Sequence, residues 1–164
     1  MTTTAEDKFR QLLQDFGVAM LVTRTTTGQL RARPMAVAES DPDGTLWLLT
    51  DRQSGKLDEI ERNNQINLTA QSSSKFLSLS GTAVAVDDRQ KVAALWQEPW
   101  KVWFPGGKDD PSLVLIKIQG SMGEYWDNSG TSGLKYLLEA GKAYLSGTRP
   151  DAEGDTKIHG KVSL

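Results

Sequence analysis

Short β-rich runs separated by turn-forming residues occupy residues 18–50, and they constrain the fold of the chain more than any other feature. Residues 18–24, 30–39 and 45–50 are such runs, and residues 26–29 and 41–44 join them through Gly28 and Gly44. Gly-containing links of this length between β-rich runs are typical of hairpins. The pattern therefore predicts an antiparallel meander.

Three further runs extend the same pattern. Residues 66–71, 76–86 and 112–126 have strand composition, and Gly81 lies where a bend or bulge is expected. With the first three runs, they give six antiparallel strands. Because helical patterns lie between the strands rather than in a separate block, we expect a mainly β, α+β fold: a small β-barrel with peripheral helices.

Four segments have helical patterns. The first begins with a capping box in which Thr3 or Thr4 precedes Glu6 or Asp7 by three residues. An apolar stripe at i, i+3, i+4 and i+7 follows it, formed by Phe9, Leu12, Leu13 and Phe16. Residues 56–63, 88–97 and 134–138 predict the other three helices.

The length and composition predict one domain. The chain has 164 residues, of which 38% are hydrophobic, and a domain of this size buries about 70% of its unfolded surface. We place the domain at residues 1–146. Residues 147–164 are polar and Gly-rich, and we expect a tail that is loosely ordered or rests on a partner.

Several functional classes are disfavoured by composition. A net charge of −2 argues against a nucleic-acid binder, which needs a basic excess. The chain has no cysteine and a single histidine, His159, so thiolate or imidazole metal sites and Ser-His-Asp or Cys-His catalysis have no candidates. Neither a secretion signal nor a membrane span is present in the pattern, so we expect a cytoplasmic protein without membrane association.

Carboxylates give no clear catalytic group either. Asp7, Asp15, Asp58, Glu59 and Glu61 fall on the predicted solvent faces of helices, where solvated surface charge is the ordinary interpretation. Any chemistry is then expected to come from a bound cofactor.

The turn from the third strand into the second helix predicts an anion site. Ser54 lies at the helix N-terminus, where unpaired N–H groups and the helix dipole favour anions. The Thr50 and Ser54 hydroxyls and the Lys56 ammonium could converge on one phosphate. The alternative is that Ser54 only caps the helix and Lys56 is solvated, and spacing alone favours this alternative.

The second strand combines two arginines with a proline. Alternation places Arg31, Arg33 and Met35 on one face, where the arginines need an anion or a carboxylate. Pro34 cannot donate to a ladder, so the strand lies at an edge or its pairing breaks there. A broken ladder exposes backbone that a planar ring could use, whereas an edge strand with solvated arginines is an equal alternative.

Aromatic residues cluster late in the chain, at Trp96, Trp100, Trp103, Phe104 and Trp126. The loop after Trp100 is too apolar to be free in solvent, so it packs on its own core, on a second subunit or on a planar ligand. Trp126 ends a long strand, and strand ends line the mouths of barrels, where ligands bind.

Taken in order, these segments resemble the pyridoxamine 5′-phosphate oxidase-like, FMN-binding split barrels, and their general stress protein branch in particular. The likeness runs from Phe9 to Trp126. Its motifs are Arg33-Pro34-Met35-Ala36, Thr50 with Ser54-Gly55-Lys56, Trp103-Phe104-Pro105-Gly106-Gly107 with Asp109-Asp110-Pro111, and Glu124-Tyr125-Trp126.

The resemblance implies a six-stranded antiparallel Greek-key split barrel that forms a homodimer with FMN at the interface. By analogy, Thr50, Ser54, Gly55 and Lys56 hold the phosphate, and Trp126 reaches the flavin of the other subunit. The remaining cofactor-binding positions that the resemblance implies are Arg33, Pro34, Met35, Ala36 and Leu49. It implies no metal.

The sequence departs from true oxidases in one respect. Those enzymes follow the tryptophan motif with an Arg-x-His element that handles the substrate, and residues 127–134, directly after Trp126, contain neither arginine nor histidine. We therefore expect an FMN-binding stress protein acting as a flavin-dependent oxidoreductase on a small acceptor, with a nicotinamide donor. The alternatives are a non-catalytic flavin store or sensor, and a flavin-free module that binds another phosphate ligand.

Overall fold

Antiparallel strands form the framework of the computed structural model, which describes residues 4–148 and 158–164. In chain order the strands are β1 (Val18–Arg24), β2 (Leu30–Ser40), β3 (Thr45–Asp51), β4 (Gln65–Gln71), β5 (Lys75–Val86), β6 (Leu113–Asp127) and β7 (His159–Ser163). The first six match the predicted runs to within one or two residues.

Strands β1 to β6 close into a barrel. Their spatial order is β3-β2-β1-β4-β5-β6, and β3 also pairs with β6 along its whole length. All these pairings are antiparallel. The predicted fold class, a six-stranded antiparallel barrel with peripheral helices, is confirmed.

The barrel is split because two of its strands, β6 and β2, are each paired with β3 along only part of their length. The first half of β6 pairs with β3 and its second half with β7, from Met122 to Trp126. Strand β2 pairs with β1 from Leu30 to Ala36, but its pairing with β3 begins only at Val37. Pro34 keeps its place opposite Met20 in the β1–β2 ladder and has no β3 partner on its other side, so of the two sequence alternatives the edge position holds and the ladder is not broken at Pro34.

A bulge bends the long β5–β6 pair at the predicted glycine. The register shifts between Ser80 and Gly81. A Cβ atom on Gly81 would lie 2.1 Å from the carbonyl oxygen of Gln119, so only glycine permits this close approach of the two backbones.

In the part of the chain that the structure describes, four α-helices accompany the barrel: α1 (Ala5–Asp15), α2 (Gly55–Arg62), α3 (Arg89–Leu95) and α4 (Gly130–Ser146). The N-terminal capping box is confirmed, with Thr4 and Asp7 bonding reciprocally. Two 3₁₀ turns, Glu98–Val102 and Gly107–Asp109, form the aromatic segment between α3 and β6. Within the described residues, no helix is both long and apolar enough to cross a bilayer.

Two apolar clusters stabilise these elements. The larger fills the barrel and includes Phe9 and Leu13 from α1, which covers one end. The smaller packs Val92 of α3 and Trp100 against Leu49 and Leu113. Trp100 therefore packs in the protein's own core, which is one of the three environments that the sequence allowed for the aromatic loop.

The end of the chain differs from the expected loose tail. Residues 159–163 form β7 on the edge that β6 presents beyond its pairing with β3. Ile158 and Val162 are buried, and Gly160 lies so close to Tyr125 that a Cβ atom would be 2.7 Å from its ring. The middle of the predicted tail, residues 149–157, lies outside the described residues, and the domain boundary at residue 146 stays a prediction.

Candidate functional site

A cavity of about 410 Å³ opens where β2 leaves β3 and α2 begins. This volume lies within the range of small-molecule sites. The described residues that line it are Val18, Pro34, Met35, Ala36, Leu49, Thr50, Asp51, Ser54, Lys56, Trp100, Trp103 and Phe104. Most of the wall is apolar, and the polar groups come from one turn, residues 50–56.

Lys56 organises the polar end of the cavity. Its Nζ donates hydrogen bonds to Thr50 Oγ1 at 2.8 Å and to Ser54 Oγ at 2.5 Å. Ser54 occupies the N-cap position of α2 but makes no side-chain capping bond. The simple alternative of a capping serine with a solvated lysine therefore does not describe this turn.

The three groups retain donors for an anion. An ammonium has three N–H groups, of which two are used, and each accepting hydroxyl keeps its own proton to donate. The first N–H groups of α2 add their partial positive charge. This end of the cavity therefore suits a phosphate or another compact anion.

The surroundings of Lys56 make a bound anion favourable. Burial lowers the pKa of the Lys56 ammonium, and the charge of Arg33 lowers it further, against smaller opposing effects of Asp51 and Glu59. Within the described residues, no carboxylate lies within 4 Å of Nζ. A bound anion would neutralise the positive charge of the Lys56 ammonium, which pairs with no carboxylate among the described residues.

The arginines of β2 meet a buried carboxylate. Arg33 Nη2 lies 2.7 Å from Glu59 Oε2, Arg31 Nη1 lies 3.6 Å from Glu59 Oε1, and Arg33 also donates to Thr23. Thr23 in turn donates to Glu59 at 2.5 Å. The sequence required an anion or a carboxylate here, and the structure identifies it as Glu59.

Glu59 corrects one sequence expectation. It was placed on a solvent face of α2, but it is 6% exposed because α2 packs against β1 and β5. Burial tends to raise its pKa, but hydrogen bonds from Thr23 and Arg33 and the charges of both arginines outweigh burial, so the pKa lies below its ordinary value. The carboxylate is thus held ionised and ties α2 to the barrel.

The apolar end of the cavity combines strand and loop. Pro34, Met35 and Ala36 come from the part of β2 that β3 does not pair with. Trp103 and Phe104 of the aromatic segment line the same cavity, with Trp103 still 68% exposed. Flat apolar groups in the wall of a cavity suit a planar ring.

Seven of the ten predicted cofactor residues line the cavity. They are Pro34, Met35, Ala36, Leu49, Thr50, Ser54 and Lys56. The other three lie elsewhere: Arg33 beside Glu59, Gly55 in the first turn of α2, and Trp126 on the second half of β6. Three strands, β1, β4 and β5, separate β2 from that half of β6.

Five lining residues were not among the predicted ones. Val18 and Asp51 carry no distinguishing sequence signal and line the cavity because of how β1 and β3 lie in the barrel. Trp100, Trp103 and Phe104 did have a signal, the apolar loop, but its environment could not be chosen from sequence.

Comparison with protein families gives one match over most of the chain. The family described as "Pyridoxamine 5'-phosphate oxidase like" matches residues 4–151. Among curated proteins, Protein bli-3 of Neurospora crassa is 33% identical over 113 residues, which are 62% of this chain. This chain spans about half of that relative, 54% of its length.

Solved structures share the fold. The general stress FMN/FAD binding protein from Xanthomonas citri is 26% identical with a TM-score of 0.66, covering 79% of this chain and 92% of its own. General Stress Protein 26 from Bacillus anthracis is 24% identical with a TM-score of 0.66, covering 73% and 92%. The second likeness, below 25% identity, concerns the fold alone.

Proposed function

The chain belongs to the pyridoxamine 5′-phosphate oxidase like family, and we propose that it is a general stress protein that binds FMN and uses it as an oxidoreductase. The observation that carries this proposal is the cavity itself. One end has an unneutralised Lys56 with two hydroxyls, and the other is walled by flat apolar groups. FMN combines an anionic phosphate, which suits the Lys56 end, with a planar ring, which suits the apolar end.

The residues present fit the cofactor. Lys56, Thr50 and Ser54 would hold the phosphate, as the sequence resemblance implies, and Pro34, Met35 and Ala36 would border the ring or the ribityl chain. Trp103 and Phe104, which line the same cavity, would exclude water from it. Bound FMN would supply a ring that accepts and releases electrons. A neighbour described as an FMN/FAD binding protein supports the flavin.

A second copy of the chain would complete the site. Five apolar side chains on the outer face of β1, β5 and β6 are between 37% and 62% exposed: Val18, Met20, Phe76, Met122 and Trp126. Exposed apolar groups on one sheet face are typical of an interface. The resemblance implies that Trp126 reaches the flavin of the other subunit, and Trp126 does not line the cavity of its own chain.

Flavin titration tests the cofactor assignment. Purified protein would be titrated with FMN, riboflavin and FAD while flavin fluorescence quenching is followed. A phosphate held by charge-assisted hydrogen bonds should favour FMN over riboflavin by about 10- to 150-fold. Lys56→Ala should remove that preference.

Lys101→Ala is the matched control. It removes the same charge from an exposed lysine that pairs with Glu98 and does not line the cavity, so it should keep the FMN preference. Equal, weak binding of all three flavins by the wild type would overturn the proposal and favour a module for another phosphate ligand.

The assembly requires a separate measurement. Sedimentation of the FMN-loaded protein should give a dimer, and Trp126→Ala should weaken FMN binding without changing the FMN-to-riboflavin ratio. A monomer that binds FMN tightly would contradict the interface.

Turnover separates the two flavin functions. NADH or NADPH oxidation above the rate of free FMN would support the oxidoreductase. Tight FMN binding without such turnover would indicate the flavin store or sensor instead.

A further inference from the structure

Three rings lie side by side on neighbouring strands at one end of the outer sheet face. Phe76 of β5 is opposite Trp126 of β6, and Trp126 is opposite His159 of β7. The Trp126 and His159 rings are stacked, with centroids 5.3 Å apart and planes 15° apart. Phe76 and Trp126 remain 38% and 37% exposed.

The His159 ring is fixed by more than the stack. Its Nε2 lies 2.9 Å from Glu124 Oε1, a carboxylate on β6 two residues before Trp126. The imidazole side chain is only 20% exposed. A ring held by a hydrogen bond at its edge and by an indole at its face has little freedom to turn.

The strand that carries His159 is itself firmly seated. The N–H of Asp127 donates to the Ile158 carbonyl at 2.6 Å, and the N–H of Leu164 donates to the Ser121 carbonyl at 3.1 Å. Val162 is 5% exposed. The end of the chain thus presents His159 from a strand, and a strand places a side chain more reproducibly than a loop does.

We propose that His159 is a positioning residue that holds the Trp126 indole as a stacking platform for the flavin ring of a second copy. The inference rests on the proposed function and deepens it, because it makes β7 part of the flavin site. His159 is stacked on the indole, and Trp126 nevertheless remains 37% exposed. An indole whose rotamer is already fixed gives up less conformational entropy on binding a ring.

The platform has a defined energetic role. A stacked aromatic pair contributes a modest free energy beyond its buried area, equivalent to about 2- to 13-fold in an equilibrium constant. Because the stack stabilises the rotamer of Trp126 that binds the ring, its loss should reduce the population of that rotamer by a factor in this range. We expect His159→Ala to weaken FMN binding by the same factor. His159→Phe keeps a stacking ring but loses the bond to Glu124, so it should retain most of the affinity.

The experiment measures FMN affinity of the full chain for wild type, His159→Ala, His159→Phe and a control. Lys161→Ala is the matched control, because Lys161 lies on the same strand, 3.7 Å from the same Glu124 carboxylate, with its side chain 70% exposed. It should leave the affinity unchanged. Near-ultraviolet circular dichroism without flavin should show a change in the indole signal for His159→Ala that Lys161→Ala does not show.

A double variant separates positioning from simple structural support. If His159 acts through the indole, His159→Ala should have no further effect on FMN affinity in a Trp126→Ala background. Additive losses, or unchanged affinity in His159→Ala alone, would overturn the proposal. Absence of flavin binding by the wild type would instead refute the proposed function, so the two failures are distinguishable.

Discussion

Removing the buried charge of Glu59 should destabilise the protein far more than removing an exposed charge from the same helix. Glu59→Gln keeps the size and a hydrogen-bond acceptor, so Thr23 and Arg33 still find an oxygen. What is lost is the negative charge facing Arg33, whose side chain is 17% exposed. Glu61→Gln, at an exposed position two residues further along α2, is the matched control.

The expected loss follows from the two bonds that Glu59 accepts. A hydrogen bond to a charged group contributes about 1.5–3 kcal/mol and a neutral one about 0.5–1.5 kcal/mol. Two bonds that each lose about 1 kcal/mol give about 2 kcal/mol for Glu59→Gln. Glu59→Leu also abolishes the acceptor, so it should cost about 3–5 kcal/mol. Glu61→Gln should stay within about 0.5 kcal/mol.

Urea unfolding at several pH values gives the free energies. Because the folded pKa of Glu59 lies below its ordinary value, its charge stabilises the fold fully above the unfolded pKa. That contribution is lost as pH falls through the folded pKa. The difference between wild type and Glu59→Gln should therefore be constant from pH 7 to about 5 and shrink below it.

Two outcomes would refute this reasoning. A Glu59→Gln loss no larger than that of Glu61→Gln would mean that the cluster behaves like a surface ion pair. A difference that does not shrink in acid would mean that the charge is not the cause.

In addition, Arg33→Met combined with Glu59→Leu should recover much of the loss of Glu59→Leu, because no buried charge is then left unpaired.

Two further substitutions test how α1 and the barrel fit together, both by urea unfolding. Gly123→Ala should lower the free energy of unfolding by about 1–3 kcal/mol, because the new Cβ atom would lie 2.5 Å from the Phe9 ring. Gly141→Ala is the control: its Cβ atom would have no atom within 4 Å, so it should stabilise α4 by up to about 1 kcal/mol. Equal changes in the free energy of unfolding for the two variants would contradict the packing of α1 on β6. Asp127→Asn should cost about 1–3 kcal/mol at pH 7, since Asp127 is 3% exposed and lies 2.6 Å from Lys8 Nζ. Burial raises the pKa of Asp127, but hydrogen bonds from Lys8 and Ser129 outweigh burial and lower it. The difference between Asp127→Asn and wild type should therefore vanish only in strong acid, and its persistence there would exclude the ion pair.

The barrel strands were predictable because their signals are local. Turn glycines and two-residue alternation decide where a strand starts and which face is buried, and neither depends on distant contacts. The predicted bulge at Gly81 is a case in point, since a glycine inside an alternating strand needs a backbone reason. The resemblance to a family then supplied the order in which the strands pair.

Strand β7 could not be found in the same way. Residues 159–163 contain one buried apolar side chain, Val162, so they have no alternation to detect. They are extended because β6 continues beyond its pairing with β3 and offers an unpaired edge. A strand stabilised by a neighbour's edge is a tertiary effect, which propensity does not report.

The residues of the site also differ in whether local sequence or tertiary packing decides their position. Thr50, Ser54 and Lys56 lie within seven residues, so a turn and a helix start bring them together by local geometry. The sequence also required a charge partner for the arginines of β2. It could not identify Glu59, because the burial of that carboxylate depends on which side of α2 meets the barrel.

The placement of Glu59 also explains why Lys56 remains available. The two residues are three apart on α2, a spacing at which a lysine and a glutamate commonly pair. Here Arg33 and Thr23 occupy the carboxylate, so Lys56 bonds only to hydroxyls. Arg33, which the sequence resemblance places at the flavin, would then act indirectly. Because Arg33 pairs with Glu59, the Lys56 ammonium is left free to bind the phosphate. Replacing Arg33 by methionine should therefore weaken the preference for FMN over riboflavin, whereas a direct ring contact would weaken the binding of both flavins equally.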